Sequence, residues 1–222
     1  MASRKTVLLF DVDNTLLDND RVIADLMRHI SNEFGTEPQQ RYAAIIEELR
    51  GSLGYVDYLG ALQQYRREFP HQPHMLAISR YLIDYPFANR LYPGSLDVIE
   101  KAREYGSVVI LTDGDVVFQP RKIDRSGLRE AVDGQVLLYI HKELELADVE
   151  KNYPADHYVL FDDKLRILSE VKKTWGARVT TVFVRQGHYA HDAAVVSKLN
   201  PADFKTHRVG DLVDCDFTKL VG

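Results

Sequence analysis

Cysteine is almost missing from this sequence, with one residue, Cys215, in 222. A lone thiol forms no intramolecular disulfide, which excludes a disulfide-stapled secreted scaffold and makes a reducing compartment, the cytoplasm, the expected home. Long apolar runs are missing as well. Nothing approaches the roughly 18 consecutive apolar residues of a membrane span, so a soluble chain without a membrane partner is expected. The apolar run from Val7 to Phe10 ends at once in acidic residues, and no signal peptide fits there. A basic excess is absent: Lys and Arg number 28 against 33 Asp and Glu, a formal net charge of −5, which is the reverse of a nucleic-acid footprint. No Gly-x-x-x-x-Gly-Lys-Ser/Thr loop occurs, and Gly51 to Gly54 is too sparse for a phosphate cradle, so nucleotide binding by that route is excluded. Internal repeats and low-complexity segments are also lacking.

What is there describes a folded α/β protein. Hydrophobic residues make up 45% and charged residues 27%, an ordinary balance for a chain with a sizeable core. The length exceeds the roughly 100 to 200 residues of one domain without reaching two full ones. Short apolar runs at Val7 to Phe10, Val108 to Leu111, Val136 to Ile140, Tyr158 to Phe161 and Val179 to Val184 read as strands. They are continuously apolar rather than alternating, the pattern of a parallel sheet covered on both faces. Helical periodicity separates them, as in Leu96, Ile99 and Ala102 before Gly106, and Ile167, Val171 and Trp175 before Gly176, with both glycines at expected helix C-caps. The expected fold is a three-layer, doubly wound (Rossmann-like) α/β core with a mostly parallel sheet.

From about Asp18 to Leu91 the alternation stops and four helical patterns follow one another. The first carries Val22, Leu26, Met27, Ile30 and Phe34 and stops at Gly35. The second carries Tyr42, Ile45, Ile46, Leu49 and Leu53. The third carries Tyr55, Tyr58, Leu59, Leu62, Tyr65 and Phe69 before Pro70, and the fourth runs from about Met75 to Ile83. Each has one apolar stripe that needs a neighbour, and short connections imply antiparallel packing. The chain thus divides into a core (1–17 and 92–222) and an inserted all-helical unit (18–91).

Chemistry concentrates at strand ends, where open α/β sheets bind ligands. Asp11-Val12-Asp13-Asn14-Thr15 follows the first strand. Two carboxylates about 5 Å apart repel by roughly 3 kcal/mol at an effective dielectric near 20, so their convergence calls for a proton or a cation, and oxygen ligands suit Mg²⁺. Taken alone, the segment reads equally well as a solvated acidic turn. Three further strand ends carry complementary groups: Thr112-Asp113-Gly114, whose hydroxyl and backbone amides suit phosphoryl oxygens; His141-Lys142, a point charge able to pair with Asp11 and with phosphate; and Asp162-Asp163-Lys164, a second carboxylate pair. Each has a plain alternative, with Thr112 a turn residue, Lys142 a surface lysine and Asp162 or Asp163 a helix N-cap. Together the plain readings require four coincidences on one sheet.

In the order Asp-x-Asp-x-Thr, Thr, Lys and acidic pair, this chain resembles the haloacid dehalogenase superfamily of hydrolases, over the span from Lys5 to about Val184. Leu16-Leu17-Asp18 and Tyr92-Pro93-Gly94 also look like that family, and the helical insertion resembles its C1-type cap, which closes over the active site. The resemblance implies Asp11 as the nucleophile that forms an aspartyl-phosphate. It implies Asp13 as general acid and base, its backbone carbonyl also on Mg²⁺, with Asp11 and Asp162 completing the protein ligands. Thr112 and Lys142 would hold the transferring oxygens. Dehalogenating members lack an acid at the position of Asp13 and need no metal, so the resemblance points to a phosphatase acting on small phosphorylated metabolites. Phosphomutases share every core residue, and a catalytically silent interaction protein is the reading from another class. A receiver domain, the other doubly wound arrangement of acids, Thr and Lys, has its acidic pair after the first strand and lacks a cap.

Three positions depart from the family pattern. Glu143 follows Lys142 where many capped members have Pro; Arg166 stands where an acid often lies, with Asp163 available to supply that charge to the metal; and Asp113 replaces a more usual Asn, either repelling anionic substrates or hydrogen-bonding a hydroxyl. Of the eight histidines, the pairs His71/His74 and His188/His191 lack a third ligand and read as loop or helix-end residues. The stripe of Tyr55, Tyr58, Tyr65 and Phe69 reads as cap core, and Arg66 and Arg67 either reach substrate or are solvated.

Overall fold

A computed structural model describes residues 5–53, 55–71 and 75–221. Its centre is a six-stranded sheet with β1 Thr6–Phe10, β2 Ser107–Asp113, β3 Val136–Tyr139, β4 His157–Asp162, β5 Val179–Val184 and β6 Phe204–Thr206. The spatial order is β3-β2-β1-β4-β5-β6, and every pair is parallel. β1 and β4 are buried along their whole lengths, as continuously apolar strands covered on both faces must be. The stacked rings of Phe10 and Phe161, centroids 4.1 Å apart, join them. The five strands read from sequence are present to within a residue or two. β6 was not anticipated: its Phe-Lys-Thr is short and only Thr206 is buried, so an edge strand of this kind carries no apolar run to read.

Eleven α-helices accompany the sheet among the described residues: α1 Asn19–Phe34, α2 Thr36–Leu53, α3 Tyr58–Glu68, α4 Met75–Asp84, α5 Ser95–Arg103, α6 Phe118–Ser126, α7 Leu128–Ala131, α8 Leu146–Asn152, α9 Leu165–Trp175, α10 Gly187–His191 and α11 Ala193–Val196. None is long and apolar enough to cross a membrane. The first four follow the four sequence patterns. Asp18 caps α1 by accepting from Arg21 N at 2.9 Å, and Gly35, at φ 97°, ends it; Asp57 caps α3 through Gly60 N at 2.6 Å. Side-chain oxygens here satisfy amides that have no partner within the helix. In α2 the buried face is Tyr42, Ile45 and Ile46, and Leu53 is exposed.

Two glycine readings separate. Gly176 does cap α9, at φ 55°. Gly106 does not cap α5, which ends at Arg103. A Cβ on Gly106 would lie 2.3 Å from the Thr6 carbonyl oxygen, so glycine there permits β2 to approach β1. Leu96, read as part of the buried stripe of α5, is exposed; Val98, Ile99 and Ala102 form that face.

The helices between β1 and α5 pack onto the core through aromatic and polar contacts. Phe118 on α6 meets Tyr58 at 5.2 Å and Phe87 at 5.6 Å between centroids. Arg121 Nε donates to Ile83 O at 3.1 Å, and Arg125 Nη2 to Asp84 O at 3.2 Å. Within the insert, Asp25 on α1 accepts from Arg90 Nη2 at 2.6 Å and from Tyr85 OH at 2.7 Å. That network ties the start of the insert to its end.

Candidate active site

The chain winds from β1 outward to β3 and then returns to β4 beside β1, which makes the crevice beyond the ends of β1 and β4 the topological switch point. The β1–β4 register places Phe10 opposite Phe161, and Asp11 N donates to Phe161 O at 3.0 Å. Asp11 and Asp162 thereby become neighbours although 151 positions separate them. Asp11, Asp162 and Asp163 are all buried, and each offers a carboxylate oxygen within 4.8 Å of the others. Asn14, at φ 61°, turns the chain back after Asp13 and exchanges hydrogen bonds with Asp20 at 3.0 and 3.1 Å. Thr15 Oγ1 donates to Asp11 Oδ2 at 3.2 Å.

Lys142 enters from the 3-10 turn Lys142–Leu144 after β3. Its ammonium is fully buried, 2.6 Å from Asp11 Oδ1 and 2.6 Å from Asp162 Oδ2. Burial lowers the lysine's pKa, but Asp11, Asp162 and Asp113 outweigh it and raise the value, so Lys142 stays charged. Lys164 behaves alike, its burial penalty overcome by Asp11, Asp163 and Asp162. Asp162 is shifted upward, because burial and the Asp11 charge exceed the attraction of Lys142. Asp163 is shifted well upward by burial and then by Asp162. Two ammonium groups thus face three buried carboxylates, and both oxygens of Asp163 lack a hydrogen-bond partner among the described residues.

Those orphaned oxygens decide whether the cluster suits a divalent metal. Buried carboxylate oxygens without donors are costly, the donor set is all oxygen, and two ammonium groups leave the third carboxylate to be met by a proton or a cation. Asp11, Asp162 and Asp163 fit a hard cation such as Mg²⁺. Asp163 is not a helix N-cap, since α9 has no side-chain cap, whereas Asp162 Oδ1 accepts from Lys164 N at 2.7 Å in a local turn.

The Asp13 side chain stands apart from the carboxylate cluster. Its Oδ1 lies 2.6 Å from Lys122 Nζ on α6, and the residue lines a cavity of about 360 Å³ together with Tyr58, Phe118, Lys164, Arg166 and His188. Thr112 lies buried on β2, and its Oγ1 accepts from Gln119 Nε2, also on α6, at 3.0 Å. Asp113 Oδ1 accepts from Lys142 N at 2.7 Å, so one of its oxygens serves to hold the Lys142 turn; burial raises its pKa. The other two departures from the family pattern form one ion pair, Arg166 Nη1 to Glu143 Oε1 at 2.6 Å.

Lys122 and Gln119 escaped sequence reading, because a Lys and a Gln inside a helix look solvated until the helix is placed. Among the histidines, His188 Nδ1 sits 2.6 Å from Asp20 Oδ1 and is no ligand pair with exposed His191; His71 is exposed, while His74 and Gly54 lie outside the described residues. Tyr58 and Tyr65 are buried as expected, Tyr55 lines the cavity, and Arg66 and Arg67 are exposed.

The haloacid dehalogenase-like hydrolase family model matches residues 5–172. A crystal structure from Burkholderia xenovorans LB400, described as a haloacid dehalogenase-like hydrolase, shares 59% identity over 96% of this chain and 99% of that one, with a TM-score of 0.92. The HAD-hydrolase YfnB of Bacillus subtilis, bound to magnesium, superposes with a TM-score of 0.61 at 16% identity, covering 94% of this chain and 97% of that one. The L-2-haloacid dehalogenase of Xanthobacter autotrophicus does so at 0.63 and 17% identity, covering 97% and 98%. These last two show the shared fold. No match was found among curated protein sequences.

Proposed function

The chain belongs to the haloacid dehalogenase-like hydrolases, and we propose that within this family it hydrolyses small phosphomonoesters through Asp11 with Mg²⁺ as cofactor. The observation that carries this reading is the pairing of a buried carboxylate cluster, Asp11, Asp162 and Asp163, with a separate acid, Asp13, at the cavity wall. A haloacid displacement needs a carboxylate nucleophile but has no leaving oxygen to protonate. An ester does, and Asp13 supplies that proton.

Asp11, Asp162 and Asp163, with the Asp13 carbonyl, would hold the metal, which when bound neutralises charge between nucleophile and phosphate. The remaining steps belong to the chain's own groups. Lys142 beside Asp11, and Thr112 with its hydroxyl held by Gln119, bind phosphoryl oxygens. An Asp11 oxygen attacks phosphorus, the ester P–O bond breaks, and the leaving oxygen takes the Asp13 proton. Asp13, now a carboxylate, takes a proton from water, whose oxygen attacks the aspartyl-phosphate; phosphate leaves and Asp11 is regenerated. Residues 18–91 act as the cap over the core formed by 1–17 and 92–222, supported by Tyr58 and Tyr55 of the insert lining the cavity. A cavity of about 360 Å³ suits a metabolite rather than a folded phosphoprotein. Screening phosphate esters for Mg²⁺-dependent phosphate release tests the reading, and undiminished turnover by Asp11→Asn refutes it.

A further inference from the structure

Resting on that proposed function, we infer that Lys122 is the positioning residue that holds Asp13 in place for proton transfer to the leaving oxygen. Lys122 is fully buried in the fold. Its Nζ is 2.6 Å from Asp13 Oδ1 and 2.9 Å from Asn19 Oδ1, and 5.3 Å from the centre of the Phe118 ring. Burying an ammonium costs several kcal/mol unless acceptors meet it, and here Asp13 Oδ1 and Asn19 Oδ1 accept from it, which leaves Asp13 Oδ2 as the oxygen that carries the proton to the leaving group. The asymmetry between the partners is informative: the Lys122 side chain is 1% exposed, while Asp13 keeps 25% of its side chain exposed. One end of the pair is locked in the protein and the other is open to the cavity that Asp13 lines.

The placement on α6 strengthens the inference. Gln119 and Lys122 stand three apart, on one helical face. Gln119 holds the Thr112 hydroxyl and Lys122 holds the Asp13 carboxylate, so one face of one helix supports two groups that act on the same phosphoryl ester from different strand ends. A general acid contributes only when its proton lies within hydrogen-bond reach of the leaving atom, and Asp13 sits on a loop after β1, where such reach must be imposed from outside. Asn19, at the start of α1, extends the same grip to the point where the chain enters the insert.

Leaving-group dependence tests this, because a merely structural lysine would affect all esters alike. With Mg²⁺ present, kcat/KM is measured on 4-nitrophenyl phosphate, whose phenolate needs little help from an acid, and on an alkyl monophosphate, whose alkoxide needs a proton. Lys122→Met is expected to lose on the order of 100-fold on the alkyl ester and less than about tenfold on the aryl ester. Equal losses on both esters, or no loss, would overturn the inference. Asp13→Asn/Lys122→Met, which leaves no unpaired charge buried, guards against a single variant that does not fold. It should match Asp13→Asn alone on both esters, and any further loss counts against positioning. Full activity in Asp11→Asn would sink the proposed function itself; an inactive Asp11→Asn alongside equal ester losses in Lys122→Met would sink only the role of Lys122.

Discussion

Asp163→Asn should make the metal-free protein more stable and halve the further stabilisation that Mg²⁺ brings. The Asp163 carboxylate is buried, lacks hydrogen-bond partners among the described residues, and stands with Asp11 and Asp162 so that ligand oxygens lie within 4.8 Å of one another. At that separation each like-charge pair repels by roughly 3 kcal/mol at an effective dielectric near 20. The ammonium groups of Lys142 and Lys164 offset most of this, and Asp163, shifted well upward, takes up a proton in the metal-free fold at a net cost of about 2 kcal/mol at pH 7. Asn keeps the shape, removes the charge, and offers an N–H to the neighbouring carboxylates. At about 2 to 4 °C per kcal/mol for a chain of this size, Tm in EDTA should rise by about 4 to 8 °C. Saturation with a ligand at 100 times its Kd adds about 2.7 kcal/mol; a tenfold weaker site would forfeit about 1.4 kcal/mol of that. The assay is thermal unfolding of both proteins in EDTA and across a Mg²⁺ titration. A variant with lower Tm in EDTA, or with an unchanged response to Mg²⁺, would refute the reasoning.

Two further outcomes follow from the same geometry. Lys142→Met removes the ammonium that stands 2.6 Å from both Asp11 and Asp162; breaking so buried a pair costs about 3 to 5 kcal/mol, and added Mg²⁺ should restore part of the lost Tm without restoring phosphate release. Asp25→Asn should destabilise the protein at pH 7 by about 2 kcal/mol, below the usual range for buried pairs because Arg90 is partly exposed. Burial opposes ionisation of Asp25, but Tyr85 and Arg90 outweigh it and hold its pKa below 3.8. Its contribution is therefore full above about pH 4 and disappears as pH falls through the folded value, so the Tm difference between variant and wild type should shrink below pH 4.

The fold was legible where burial is complete. Five strands announce themselves, β1, β2, β4 and β5 because they are largely buried and β3, an edge strand that is only half-buried, because its run is unbroken and apolar; β6 does not, because only Thr206 of it is buried. The four inserted helices could be read from their stripes and from Gly35 and Pro70. Gly106 was misjudged because glycine before a strand looks like a helix cap, while its actual constraint, the Thr6 carbonyl 2.3 Å from a Cβ, exists only once β1 and β2 are paired. At the proposed site, the candidates Asp11, Thr112, Lys142 and Asp162 were visible because each ends or follows a strand. Their supports were not. Lys122 and Gln119 lie on a helix, where polar residues are normally solvated, and nothing local distinguishes them. The Glu143–Arg166 ion pair is likewise visible only in three dimensions, because 23 positions separate its members.

The most direct measurement is the fate of the phosphoryl group at Asp11. Wild-type protein mixed with Mg²⁺ and a hydrolysable phosphate ester, quenched in acid within a turnover and digested, should yield a phosphoryl adduct on the peptide containing Asp11, with phosphate released in the steady state and none from Asp11→Asn. Halide release from a 2-haloacid without phosphate release from any ester, or an adduct on a residue other than Asp11, would contradict the account.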